Sequence, residues 1–124
     1  MLSMLNNVKT SIKILLDIVK KKAIMLNEIY NITINQNTVI TSDNVDMSMF
    51  REMIKEKKIK IDEINNMDQE FQNIYDSIKK DILKFKDNYK DNIVELKQYI
   101  RDDINMKMKI ELQEEKNKQI LEKI

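Results

Sequence analysis

Apolar side chains recur every three or four positions along most of the chain, with two interruptions. In the first stretch Leu5, Val8, Ile12, Leu15, Val19, Ala23 and Leu26 follow that step, and Leu16, Ile29 and Tyr30 widen the stripe. Spacing of this kind lines one face of a helix, so the stripe predicts an amphipathic α-helix over about residues 4–37. Its end is expected to fray within residues 31–41, where Ile32, Thr33, Ile34, Thr38, Val39 and Thr41 are β-branched and Asn31, Asn35 and Asn37 are weak helix formers. A short hairpin pairing residues 32–34 with 39–41 is the alternative there, disfavoured because an isolated two-stranded ribbon is marginal.

Ser42, Asp43 and Asn44 offer side-chain oxygens to the free amides of a second helix, expected over about residues 44–86 with Asp46 in its first turn. Along it Phe50, Ile54, Ile61, Ile64, Phe71, Tyr75, Ile78, Ile82 and Phe85 keep an imperfect heptad in which Lys57 and Asp68 occupy seam positions. Asp68 either bonds a facing polar group or, the favoured reading, sits at the seam's edge in water. A second break is expected at residues 85–92, where Asp87 or Asn88 would cap a third helix over about residues 88–123. Its stripe, Tyr89, Ile93, Leu96, Ile100, Ile104, Met108 and Leu112, advances mostly by fours and drifts around the helix relative to a strict heptad. A helix of about 35 residues is roughly 50 Å long. Beside a shorter first helix, its last turns are expected to protrude.

The expected fold is therefore all-α: an elongated antiparallel helical bundle or coiled coil of two to three long helices, forming one domain. Composition strengthens this, because the 124 residues include no glycine and no proline, and a chain without them reverses direction only a few times. The absence of histidine and cysteine removes the usual bases, nucleophiles and metal ligands, and without glycine no phosphate-cradling loop can form. The carboxylate pairs Asp102-Asp103 and Glu114-Glu115 would point about 100° apart on a helix. No catalytic residue, cofactor or metal is expected.

Charge narrows the partners. The 22 Lys and Arg against 21 Asp and Glu are intermingled, and Arg51 and Arg101 are the only arginines, which argues against nucleic acid. The lysine groups at 20–22 and 55–60 have Asp17, Glu28, Glu52, Glu56, Asp62 and Glu63 close by. The N-terminus lacks the pattern of a signal peptide, and the most apolar region, residues 12–26, is broken by Lys13, Asp17 and Lys20-Lys21-Lys22. Membrane insertion is not expected, and a cytoplasmic location is. Function then falls to surfaces that meet other proteins. Among nine methionines and the late apolar residues, Met106, Met108, Ile110, Leu112, Ile120, Leu121 and Ile124 form the predicted partner contact. Self-association, including a homodimer, competes with capture of another protein. Binding of Leu15, Leu16, Val19 and the adjacent lysines to an anionic lipid surface is a third reading.

The succession of a long first helix, an Asp43-Asn44 turn, Lys57-Lys58-x-x-Ile61-Asp62-x-Ile64, Met67-Asp68-x-x-Phe71-x-x-x-Tyr75, Leu96-x-x-x-Ile100 and Glu115-Lys116-Asn117-Lys118 resembles the FlgN-like flagellar export chaperones over nearly the whole chain. The resemblance implies a cytoplasmic chaperone of flagellar type III secretion that holds hook-filament junction proteins soluble. It also implies cargo capture by the carboxy-terminal helix, here residues 105–124, which adds Asn117 to the predicted contact.

Overall fold

The computed structural model describes residues 2–124, with side chains from Asn7 onward, so Leu5 of the first stripe lies outside the described side chains. Three long helices follow one another: α1 (Leu2–Ile40), α2 (Met47–Lys84) and α3 (Lys90–Glu122), with a single 3-10 turn at Lys86–Asn88 before α3. Helices two and three are thus separate. No strand occurs among the described residues.

The expected fraying of the first helix does not occur. Ile32 and Ile40 are buried, and Thr33 and Thr41 return their hydroxyls to the carbonyls of Ile29 (2.8 Å) and Asn37 (2.7 Å), so the β-branched stretch stays helical to Ile40. Packing overrides the weak propensities here.

Both caps also differ from expectation. Asp46 itself is the N-cap of α2, accepting from the Met49 amide at 3.0 Å, while Ser42 closes the turn by donating to the Val39 and Asn44 carbonyls. Neither Asp87 nor Asn88 caps α3; Tyr89 stands at its start without a side-chain cap, and is itself buried. Phe85 and Tyr89 reverse the chain at φ −117° and −119° with ψ 34° and 11°, and no described residue takes a positive φ. A glycine-free chain turns here through the bridge region of backbone space.

The seam follows one rule throughout. On α1 the steps of four and three run Val8, Ile12, Leu15, Val19, Lys22, Leu26, Ile29, Thr33, Gln36 and Ile40, all buried except the half-buried Lys22. On α2 the inward positions come every seventh residue at Phe50, Lys57, Ile64, Phe71 and Ile78, continued by Phe85 just past its end, and on α3 at Leu96, Asp103, Ile110 and Asn117, preceded by Tyr89. The four-step stripe expected for the third helix holds through Tyr89, Ile93, Leu96 and Ile100 and leaves the seam after that. Ile104, Met108 and Leu112 are exposed, and Asp103 and Asn117 are inside. A helix that stays against one long partner keeps an average step of three and a half, whatever residues fall there.

Cross-helix pairs place the elements. Lys22 meets Asp68, Glu28 meets Lys60 and Gln36 meets Lys57, so numbers fall along α2 as they rise along α1. Lys20 meets Glu95, and Thr33 and Asn37 meet Asn117, so α3 rises with α1. Because α1 has 39 residues and α3 has 33, the end of α3 lies beside the end of α1 and does not protrude as expected.

From one end to the other, the interior alternates. A first apolar cluster gathers Val8, Ile12, Leu15, Leu16 and Val19 with Ile78, Tyr89 and Leu96, and a second gathers Met25, Leu26 and Ile29 with Ile64 and Ile110. Between them Lys22, Asp68 and Asp103 make a charged waist. Beyond the second cluster lies a polar layer in which Lys57 bonds Gln36 (2.9 Å) and Glu114 (2.7 Å), and Asn117 donates to the Thr33 carbonyl (2.9 Å) and accepts from Asn37 and Gln113.

Candidate helix-binding cleft

Each outer helix packs on α1, and α2 and α3 meet each other much less. The space left between them is a cleft, floored by Ile18, Val19, Lys22, Leu26 and Ile29 of α1 along its middle and far parts. At the end near the 3-10 turn it opens into a cavity of about 760 Å³ with walls that include Phe71, Tyr75, Ile82 and Leu83 of α2 and Ile93, Val94 and Ile100 of α3. Phe71 and Ile100 also wall the next cavity, about 250 Å³, at the waist. That one shares Lys22, Asp68 and Lys107 with a third, about 200 Å³, which continues past Ile61 and Ile64 to Glu111 and Glu114. One groove therefore follows α2 and α3 for most of their shared length.

The groove is amphipathic along its length. Its wide end exposes large apolar side chains, with Leu83 74% and Val94 59% accessible, and carries Lys86, Lys90 and Lys97 against Asp87 alone. Its far end carries Glu111 and Glu114, the latter already paired with buried Lys57. At the waist the Lys22 ammonium holds Asp68 at 2.6 Å, so Asp68 is both half-exposed at an edge and bonded to a facing group. Burial pushes the Asp103 carboxyl up to about 6 despite the neighbouring Lys22 ammonium, with Asp102 and Asp68 adding to the rise. Burial likewise pushes the Tyr89 phenol up.

The predicted contact residues divide. Ile110 belongs to the second core cluster, and Asn117, 4% accessible, belongs to the polar layer, so both are committed to intramolecular packing. Met106, Ile120 and Leu121 are half-buried. Met108 and Leu112, each 61% accessible, and Ile124 face outward, and with Ile104 the first two form a row one turn apart that starts at the cleft wall. Lys109 is used within the fold, 4.8 Å above the Tyr30 ring. Sequence reasoning missed Leu83, Val94 and Asp103. A seven-residue register begun at Tyr89 would have put Asp103 inside and left Val94 out. No group of three acidic side chains able to hold a metal occurs among the described residues, and no helix is long and apolar enough to cross a membrane. No protein-family model, curated protein or solved structure matches the chain.

Proposed function

We propose that the chain is a non-catalytic, cytoplasmic binding protein that takes an amphipathic helix of a partner protein into the cleft between α2 and α3, the bundle being an antiparallel coiled coil with room for a fourth helix. The observation that carries this reading is the wide apolar end of the cleft, with large side chains in water and a lysine-rich rim. A helix docked there covers Leu83, Val94 and Tyr75, and acidic residues along its flank meet Lys86, Lys90 and Lys97. At about 25 cal/mol per Å² of apolar surface, several buried side chains are needed to offset the ordering of a flexible tail. The cleft has that length.

The export role follows from the sequence resemblance: the cargo would be the helical tails of flagellar hook-filament junction proteins, kept from premature association until secretion. Truncating α3 is a poor test, since Ile110 and Asn117 hold the fold together. The double variant Leu83→Glu/Val94→Glu changes exposed positions only. Calorimetry of this variant against junction-protein tail peptides is expected to show at least a tenfold loss of affinity relative to the unaltered protein. Equal affinity would sink the cleft as the site.

A further inference from the structure

We propose that Asp103 sets the specificity of the cleft by receiving a lysine or arginine side chain that the docked helix presents from the middle of its apolar face. This rests on the cleft being the docking site. Asp103 projects from α3 into the waist cavity and is 5% accessible, yet its Oδ2 accepts no hydrogen bond from any described group. Buried carboxylate oxygens are nearly always bonded, because leaving one unmade costs the full desolvation of the group.

The neighbours do not meet that need. From α1 the facing charge is Lys22, whose ammonium bonds Asp68 of α2 at 2.6 Å and makes no hydrogen bond to Asp103 Oδ2. From α3 itself Asp102 adds like charge, and Lys107, one turn on, lines the cavity wall without an ion pair to Asp103. The apolar surroundings, Ile18, Val19, Phe71, Ile100 and Ile104, suit the methylene stem of a long side chain, and Asp103 lines the same cavity. An ammonium or guanidinium supplies donor and countercharge together, which a serine or glutamine would not. The occupant is thus a helix with acidic flanks toward the wide end and one cation in its otherwise apolar face.

The test uses the full chain and two synthetic amphipathic helical peptides with leucine and methionine on one face. They are identical except for lysine or norleucine at the central apolar-face position. By fluorescence anisotropy at pH 7.5 the lysine peptide is expected to bind about tenfold more tightly than the norleucine peptide. That preference is expected to fall to within about twofold in Asp103→Asn, and in the unaltered protein at pH 5, where the carboxyl is protonated. Far-ultraviolet circular dichroism of Asp103→Asn is expected to match that of the unaltered protein, which shows that the variant is folded. Equal binding of both peptides to the unaltered protein would overturn the role of Asp103 while leaving the cleft in place. Binding of neither, or binding unaffected by Leu83→Glu/Val94→Glu, would remove the cleft reading and this inference with it.

Discussion

Asp103 is ionised at neutral pH in a place that favours its neutral form. The folded carboxyl holds its proton up to about 6, whereas an unfolded one releases it near 3.9. Between those values the folded state binds more protons, so this group's contribution to stability falls as pH rises through the window; below it the penalty is gone. Asp103→Leu is therefore expected to stabilise the protein at pH 7.5, by about 1–3 kcal/mol, the cost of a buried polar group without a partner. In urea titrations the gap between variant and parent should narrow as pH is lowered from 7.5 to 5. A gap that widens on acidification would contradict the assignment. Lys57 shows the opposite case: equally buried, but held by Gln36 and Glu114. Its seam position was legible from the heptad. Asp103 was not, because the apolar residues Ile100, Ile104 and Met108 pulled the reading onto a stripe one residue aside.

The helices themselves were legible from periodicity, and their ends much less so. Residues 31–40 look like a poor helix in isolation, and only the facing residues of α2 and α3 make Thr33 and Gln36 useful. The register of α3 depends on the same layer. Asn117 ties α3 to the Thr33 carbonyl and to Asn37, so its removal leaves Gln113 and Asn37 without their shared acceptor. Asn117→Ala is expected to cost about 1–3 kcal/mol. Hydrogen exchange should show the loss of protection concentrated in the last turns of α3 and the facing end of α1, with the cluster around Ile12 and Leu15 unaffected. Uniform loss along all three helices would mean that the layer does not act locally. Sequence could not reveal this network, since its members lie up to 84 positions apart and none is apolar.

The whole molecule presents two apolar features, the cleft and the outward row of Met108 and Leu112 that leads away from the cleft wall at Ile104, and their shapes suit different partners. The cleft is bounded by α2 and α3, and its proposed occupant is one helix lying between them. The row lies on a single convex helix face, with Glu111 and Glu115 beside it, and such a face meets another of its kind side by side. Self-association, the competing reading from the sequence, would use the row. If copies pair there, the cleft stays open and each copy binds its own helix. Met108→Glu/Leu112→Glu is expected to abolish any rise of mass with concentration in light scattering, because paired glutamates would be brought together in a desolvated contact. The same variant should bind the tail peptides within about twofold of the parent, since neither residue lines the cleft. A matching loss of peptide affinity would join the two surfaces into one, and the partner would then have to wrap around α3 instead of lying between α2 and α3.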